Sequence, residues 1–439
     1  MNTLIFDIGK TNKKWFVFNQ SFEVIARDSI IFAEGKDDDG DPCEDLQSLT
    51  EWVLLTANKL IADDDHNISK INFSAYGASV VHLNENQEVC APLYNYLKKP
   101  TEVNEDSFKE YLSQYPEIEK QTGAAISGML NTGFQLYWLK MQKADVFKSF
   151  RKTVHLPQYF SFLFTGETIN ELTSLGCHTT LWDFKNQQLH KWLSDDNLIS
   201  LMPALSSKNS YSEITIQGRK IQVGNGIHDS SAALVPYKTG ISSPFILLSS
   251  GTWSISLNPF AQEDISQNDI DQELIYYLQP DGKKVRATRL YYGKIYEEEV
   301  ARIQISEEEI RKIPEEVVDY YFKLKNSSNA DIQINAKQRA YLGMVVQIAM
   351  AHLQSLQLAK GESHIEEVYV DGGFAKNDLF LRFLATMLFP IQVFKAENPM
   401  GSALGAAIMM DQNSFTPDIF RDRYNLKLVL SHYNKMINK

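Results

Sequence analysis

The amino-acid sequence predicts an α/β protein of two domains, each built on a mixed sheet flanked by helices. One observation is length, because 439 residues exceed what one ordinary hydrophobic core contains. Another is a repeated pattern: the stretch at 3–18, TLIFDIGKTNKKWFVF, has a counterpart at 245–257, FILLSSGTWSISL. In both, an apolar strand enters a short polar turn with glycine and a second apolar strand leaves it. A pattern that recurs near the start and just past the midpoint predicts two similar domains.

Each of the two turns offers groups that bind anions. The first turn contains Gly9, Lys10, Thr11 and Asn12, and the second contains Ser250, Gly251 and Thr252. A tight glycine turn presents backbone N–H groups and hydroxyls together, and phosphate is the common ligand of such a nest. One such turn is often found in hairpins that bind nothing, whereas two matched turns favour a phosphate site in each domain.

Glycine residues also precede a helix late in the chain. At 366–377, EEVYVDGGFAKN, a buried strand ends at Asp371, Gly372 and Gly373, and Asn377 precedes an apolar helical stretch. Such a turn lets a flat or phosphorylated ligand approach the backbone closely. A plain strand-to-helix connection is the alternative.

A second glycine turn, at 224–237, reads GNGIHDSSAALVPY. His228 and Asp229 stand where the turn becomes a helix, and Asp229 is expected to be the N-cap of that helix. A later run at 396–410, AENPMGSALGAAIMM, has small residues at spacings that fit a helix packed closely on its neighbour.

Composition argues against several classes of function. The chain has 43 Lys and Arg against 55 Asp and Glu, a net charge of −12 with no basic block, which disfavours a nucleic-acid partner. There is no signal-peptide pattern and no continuous apolar run of membrane-spanning length, so a cytoplasmic protein without a membrane partner is expected. Cys43, Cys90 and Cys177 are odd in number and widely separated, which favours reduced thiols over a disulfide frame or a zinc site. The acidic stretch 36–45, KDDDGDPCED, is predicted to be a solvated loop.

In this order, the motifs resemble those of the FGGY family of carbohydrate kinases, over roughly residues 3–410. That family shares the fold of actin, hexokinase and Hsp70. The resemblance therefore implies two actin-like (ribonuclease H-like) domains, each a mixed sheet flanked by helices, with a cleft between them. An N-terminal sugar-binding domain is expected at 1–238, a C-terminal nucleotide-binding domain at 239–411, and a final helix or tail at 412–439. The stretch around His228 and the run SSGTWS at 249–254 are most similar to the rhamnulokinase and fuculokinase branch.

The resemblance also assigns roles to individual residues. The expected site consists of Asp229 as the catalytic residue; Lys10, Thr11, Asn12, Gly251 and Thr252 for the ATP phosphates; Gly372, Gly373 and Asn377 for adenosine; Tyr76, Gly77, His228 and Asp229 for the sugar; and Asp7 and Asp229 for Mg²⁺. A turn-forming role for Asp7 and a structural role for His228 remain alternatives.

Two segments depart from the family pattern. The stretch APLYNYLKK at 91–99 replaces a Trp-x-Asp-x-Arg segment that contacts sugar in many members, and Ala-Tyr-Gly-Ala at 75–78 replaces a Gly-Gln pair. Both departures lie in segments that are expected to contact the sugar. The resemblance therefore supports the fold and the phosphoryl-transfer chemistry more strongly than it supports any particular sugar substrate.

Phosphoryl transfer requires a sugar hydroxyl aligned with the γ-phosphate while charge is neutralised. Asp229 would accept a hydrogen bond from that hydroxyl and take its proton. The expected activity is ATP- and Mg²⁺-dependent phosphorylation of a sugar, at the primary hydroxyl of a ketose such as L-rhamnulose or L-fuculose, since a primary hydroxyl crowds the in-line geometry least. A kinase for another pentulose or polyol, and a non-catalytic ATP-binding switch of the actin or Hsp70 type, remain alternatives. The oligomeric state stays open, with a homodimer among the possibilities.

Overall fold

The computed structural model describes residues 1–206, 211–314, 316–323, 333–397 and 400–431. The strands are β1 Asn2–Ile8, β2 Lys13–Phe18, β3 Val24–Ile30, β4 Gly35–Lys36, β5 Pro42–Cys43, β6 Ile68–Ala75, β7 Val80–Leu83, β8 Lys152–His155, β9 Trp182–Asp183, β10 Gln188–Leu189, β11 Tyr211–Ile216, β12 Arg219–Gly224, β13 Ile227–His228, β14 Phe245–Ser250, β15 Ser254–Asn258, β16 Leu274–Leu278, β17 Lys284–Leu290, β18 Glu367–Gly372, β19 Gln392–Ala396 and β20 Leu426–Val429. The helices are α1 Leu46–Ala62, α2 Glu105–Leu112, α3 Ile118–Thr122, α4 Thr132–Gln142, α5 Ala144–Phe147, α6 Leu156–Thr165, α7 Leu172–Leu175, α8 Trp192–Asp195, α9 Asp229–Gly240, α10 Gln267–Asp271, α11 Tyr292–Ile303, α12 Glu307–Arg311, α13 Glu316–Lys323, α14 Ala336–Lys360, α15 Asp378–Leu388, α16 Gly401–Ile408 and α17 Pro417–Tyr424.

The chain divides into two compact units, and neither is continuous in sequence. The first unit consists of 1–241, 265–285 and 401–423, and the second consists of 242–264, 286–400 and the residues from 424 on. The boundaries predicted at 1–238, 239–411 and 412–439 stay a prediction, and they differ from these units mainly in the two segments that return to the first unit. The expected final helix or tail contains α17 and β20, and residues 432–439 lie outside the described residues.

The first unit is built on a mixed sheet with the strand order β11-β12-β6-β1-β2-β3, to which β13 is added beside β6. The predicted hairpin is present, because β1 and β2 pair antiparallel from Thr3 with Phe18 to Ile8 with Lys13. Strand β6 runs parallel to β1 and places Ala75 beside Ile8. The ends of β1, β6 and β13 therefore meet at one edge of the sheet, and the residues that follow them are brought together there.

Helices cover this sheet because their apolar faces match its buried strand residues. Buried apolar residues of β1 and β6, such as Phe6 and Phe73, form one core cluster with buried residues of α1 and α6. On the same unit α9 packs against α16. In α16 the residues from Ala403 to Ile408 are buried, which confirms the expected close-packed helix in the small-residue run.

The second unit is built on a mixed sheet in which six strands follow the order β17-β15-β14-β18-β19-β20. The second predicted hairpin is present as β14 and β15, which pair antiparallel, and β18 runs parallel to β14. The predicted strand–glycine–helix sequence corresponds to β18 and α15. The predicted fold class, mixed sheets flanked by helices in two units, is thus present.

Helix α14 belongs to the core of the second unit. Among the described residues it is the one helix whose length and composition would suffice to cross a membrane. Half of its most apolar window is buried, and buried residues such as Tyr341, Val345 and Ile348 pack in the core cluster that also contains Phe380 of α15. The burial is that expected of a core helix.

The prediction of a solvated loop at 36–45 is confirmed for residues 38–42, which are exposed, and is wrong for Asp37, Cys43 and Glu44, which are buried. The Lys98 ammonium lies 2.6 Å from a carboxylate oxygen of Asp37, 2.9 Å from Asp39 and 2.7 Å from Asp41. Asp37 is buried, and its side chain also accepts hydrogen bonds from backbone N–H groups of the loop. A distant lysine folds the acidic stretch onto the protein, which the charge pattern alone does not reveal.

Candidate active site

The first candidate subsite is the turn between β1 and β2. The N–H of Gly9 donates to the carbonyl oxygen of Asn12 at 3.0 Å, which closes the turn. Thr11 and Asn12 are exposed at its tip. Lys10, predicted to bind phosphate, forms an ion pair with Glu34 at 2.9 Å. The turn therefore presents hydroxyl and amide groups to a ligand, while the Lys10 charge is already partnered.

Asp7 lies just before this turn, near the end of β1. The hydroxyl of Ser402, in the first turn of α16, donates to its carboxylate. Burial raises the pKa of Asp7 above its ordinary value, and the nearby negative charge of Asp229 raises it further. The structure thus brings together the two carboxylates that the sequence predicted for Mg²⁺.

Asp229 begins α9, and its position corrects one expectation. His228 has extended backbone dihedral angles and is the N-cap, so Asp229 is the first helical residue instead of the cap. Its carboxylate accepts a hydrogen bond from the N–H of Ser230 at 2.6 Å and lies 3.3 Å from Nε2 of His228. Burial raises the pKa of Asp229 to about 6, although a third of its side chain remains exposed. The result is a carboxylate that a ligand can reach and that a helix N-terminus holds.

His228 is buried beside Asp229. Burial lowers the pKa of His228 to about 3, so the imidazole is neutral at physiological pH. Its Nε2 lies 3.0 Å from the sulfur of Cys177, and its ring stacks on Tyr277 with 5.3 Å between centroids. Its Nδ1 is buried without a hydrogen-bond partner among the described residues. Neutral imidazole can donate one hydrogen bond and accept another, which suits a sugar hydroxyl as well as a structural role.

The two residues predicted in the sugar loop have different surroundings. Gly77 packs directly on the histidine, because an added Cβ would lie 2.8 Å from Nε2 of His228 and 2.6 Å from the sulfur of Cys177. Tyr76 is buried, and its hydroxyl donates to Glu44 at 3.0 Å. Gly77 thus shares the site of His228 and Asp229, whereas the Tyr76 hydroxyl is directed toward Glu44.

The predicted nucleotide residues of the second unit also lie together. The Gly251 N–H donates to the carbonyl oxygen of Trp253 at 2.8 Å, which closes the turn that carries Thr252. Ser250 joins this turn to the other loop, since its carbonyl oxygen accepts from the N–H of Gly373 at 2.7 Å. Gly372 has φ +86°, a backbone conformation that favours glycine.

Asn377 uses its side chain within the second unit. Its side-chain oxygen Oδ1 accepts a hydrogen bond from the N–H of Phe380 at 3.0 Å, which caps α15. Its amide donates to the hydroxyl of Tyr341 at 3.0 Å. The side chain that was predicted to contact adenosine is therefore the N-cap of α15, and it fixes the loop that carries Gly372 and Gly373.

Sequence reasoning missed four residues that touch the predicted ones. They are Lys13, Glu44, Cys177 and Ser402. Lys13 lies only three residues from Lys10, but its ion-pair partner Glu44 is 31 residues away. The contacts of Glu44 with Tyr76, of Cys177 with His228 and of Ser402 with Asp7 span 32, 51 and 395 residues, so no local pattern marks them. The run around Ser402 was recognised only as a closely packed helix.

Comparison with known proteins identifies the family. The model of the FGGY family of carbohydrate kinases, N-terminal domain, matches residues 2–233, and that of the carbohydrate kinase FGGY, C-terminal domain, matches residues 242–417. The chain belongs to the FGGY family of carbohydrate kinases.

Among characterised relatives, the chain is 26% identical over 234 residues to a rhamnulokinase of Halalkalibacterium halodurans, which covers 49% of the chain and 47% of the relative. It is 25% identical over 278 residues to an L-fuculokinase of Haemophilus influenzae, covering 57% and 56%. The chain spans about half the length of the curated relatives it matches.

Solved structures share the fold. A carbohydrate kinase from Novosphingobium aromaticivorans has a TM-score of 0.80 at 21% identity, over 99% of the chain and 95% of that protein. A ligand-bound xylulose kinase from Lactobacillus acidophilus has a TM-score of 0.79 at 15% identity, over 100% and 95%. At these identities the likeness confirms the predicted actin-like fold class of FGGY sugar kinases.

Proposed function

We propose that the protein is a cytoplasmic ATP-dependent sugar kinase that transfers the γ-phosphate of ATP to a sugar hydroxyl. The observation that carries the proposal is the reachable carboxylate of Asp229, set beside His228 and close to Asp7 at one edge of the first sheet. Asp229 is the proposed base: it accepts the hydrogen bond of the sugar hydroxyl and takes its proton as the new P–O bond forms.

The raised pKa of Asp229 supports this role. A base with a pKa of about 6 is ionised at neutral pH and is a better proton acceptor than an ordinary aspartate. The neutral His228 beside it adds no competing positive charge.

Asp7 and Asp229 fit Mg²⁺, because they offer carboxylate oxygens near each other and the negative charge of Asp229 raises the pKa of Asp7. Mg²⁺ held there would neutralise charge on the phosphates. The Ser402 hydroxyl orients the Asp7 carboxylate.

For the nucleotide, we propose that Thr11 and Asn12 in the first turn, and Gly251 and Thr252 in the second, contact phosphate oxygens. We propose that Gly372 and Gly373 border adenosine, with Asn377 fixing their loop. Thr11→Ala and Thr252→Ala should each weaken ATP binding or transfer in a direct titration, and unchanged affinity and turnover in both variants would contradict phosphate binding by the two turns.

The proposed substrate is a ketose of the 6-deoxy class, L-rhamnulose or L-fuculose, phosphorylated at its primary hydroxyl. Support comes from the rhamnulokinase and L-fuculokinase among the relatives. A coupled ADP-release screen over L-rhamnulose, L-fuculose, D-xylulose, gluconate and glycerol tests it. The highest kcat/KM on one of the last three would refute the deoxyketose, while leaving the kinase activity in place.

The role of Asp229 is tested by Asp229→Asn, which keeps the size of the side chain. Loss of a general base lowers kcat by about 10²–10⁴-fold. Asp145→Asn is the control, because the Asp145 side chain is 97% exposed on the surface of the first unit. A folded Asp229→Asn variant with near-normal turnover would show that another group accepts the proton. ATP turnover that no sugar stimulates, even in the unmodified protein, would favour a non-catalytic ATP-binding switch.

A further inference from the structure

A buried ion pair connects the turn between β1 and β2 with the loop that carries Tyr76 and Gly77. The Lys13 ammonium is 2.9 Å from one carboxylate oxygen of Glu44 and 3.0 Å from the other. The two side chains are only 2% and 5% exposed. Removing two charges from water has a cost that their attraction often fails to offset, so net stability is a poor explanation for a pair at this depth.

Each charge of the pair also holds a second segment. The Lys13 ammonium donates to the carbonyl oxygen of Lys10 at 2.9 Å, and Lys10 belongs to the turn between β1 and β2. The Glu44 carboxylate accepts from the hydroxyl of Tyr76 at 3.0 Å. One continuous set of hydrogen bonds therefore runs from the turn, through the ion pair, to the residue before Gly77.

The far end of this network reaches the proposed catalytic residues. The N–H of Tyr76 donates to the carbonyl oxygen of Ile8 at 3.1 Å, which ties the same loop to the end of β1. Gly77 then packs on His228 without room for a Cβ, and His228 contacts Asp229. A shift of Tyr76 would thus move Gly77 against the imidazole.

We propose that Lys13 and Glu44 are positioning residues that hold the phosphate turn and the Tyr76–Gly77 loop in one fixed arrangement. The inference rests on the proposed function, because it treats the turn as a phosphate subsite and the loop as part of the sugar subsite. Transfer between two bound reactants depends steeply on their alignment, and a displacement of about 1 Å can lower the rate by about 10²-fold.

The test is the double variant Lys13→Met/Glu44→Leu, which removes both charges and leaves apolar side chains of similar size. Such replacements of a complete buried pair usually preserve the fold. We expect a melting temperature close to that of the unmodified protein and a kcat for sugar phosphorylation lower by about 10–100-fold, with smaller changes in the KM values for ATP and sugar. A merely structural pair would not produce that split.

Two further variants keep the test decisive. The matched control Lys220→Gln/Glu213→Gln removes an exposed 2.8 Å ion pair of the same unit, between β11 and β12, and should leave kcat unchanged. Tyr76→Phe removes one hydroxyl and keeps the packed ring. If the double variant does not fold, this variant tests the positioning role in its place. We expect it to lower kcat about three- to tenfold, whereas loss of a direct sugar contact would mainly raise the KM for sugar.

The outcomes separate the two hypotheses. Normal kcat in a folded double variant, or in Tyr76→Phe if the double variant is unfolded, would overturn the positioning role alone. Absence of phosphate transfer to any sugar by the unmodified protein would overturn the proposed function, and the positioning role with it.

Discussion

Gly405 of α16 lies directly against the backbone of Ala232 in α9, and replacing it with alanine should disturb both stability and activity. A Cβ at this position would lie 1.8 Å from the carbonyl oxygen of Ala232 and 2.5 Å from its carbonyl carbon. Backbone atoms cannot rotate away as a side chain does. To reach 3.0 Å, the shortest distance that real Cβ atoms show, the two helices must separate by 3.0 − 1.8, or about 1.2 Å.

The expected loss of unfolding free energy is about 1–3 kcal/mol, the usual cost of overpacking. We expect the fall in kcat to be the larger effect relative to the fall in stability. Helix α9 begins at Asp229, and α16 carries Ser402, whose hydroxyl donates a hydrogen bond to Asp7. A relative shift near 1 Å between the two carboxylates should lower kcat by about 10–100-fold.

Thermal unfolding and steady-state kinetics of Gly405→Ala would measure both effects. The control is Gly343→Ala in α14, where an added Cβ meets nothing within 4 Å and alanine should stabilise the helix by about 0.5–1 kcal/mol. A Gly405→Ala protein that unfolds at the normal temperature and turns over normally would refute the backbone contact on which the reasoning depends.

Three other changes have defined outcomes. Because the pKa of Asp229 is raised to about 6 and only the ionised base accepts a proton, kcat/KM should rise as pH increases through about 6; a flat profile between pH 5 and 8 would contradict this. Gly77→Ala should lower kcat/KM by about tenfold or more, since its Cβ would lie 2.6 Å from the Cys177 sulfur, and a second change, Cys177→Ala, should restore part of the loss if that contact is the cause. Gly372→Ala should lower the melting temperature more than Gly373→Ala. Gly372 has φ +86°, and an added Cβ would lie 1.9 Å from the carbonyl oxygen of Ser250 in β14, whereas a Cβ on Gly373 would lie 3.7 Å from that oxygen. Equal melting temperatures of the two variants would show that this loop adjusts freely.

The elements that sequence predicts well here depend on neighbours in the chain. The apolar alternation around Gly9 and Gly251 predicts both hairpins, since strand pairing across a short turn involves only nearby residues. The small residues before and after Gly405 predict a closely packed helix, because helical periodicity is local. Turn chemistry and periodicity therefore sufficed for the two hairpins and this helix, whereas the actin-like fold class was predicted from the resemblance to the FGGY family.

Contacts between distant segments were not predictable in the same way. Nothing near Asp37 indicates that Lys98 would bury it, and nothing near Asp7 points to Ser402. At Asp229 the prediction failed by one residue, because an aspartate suits both the N-cap and the first helical position. The site as a whole depends on tertiary packing, which a single sequence does not specify locally.

The discontinuity of the first unit has a consequence for how the protein is made. Asp7 and Ser402 are separated by 395 residues, and at about 5–20 residues per second the ribosome needs about 20–80 s to synthesise the chain between them. During that interval β1 has been synthesised but α16 has not, although the two belong to the same compact unit. A fragment that stops at residue 238 would lack this helix permanently, so expression of the first unit by itself would require joining both 265–285 and 401–423 to it by new connections.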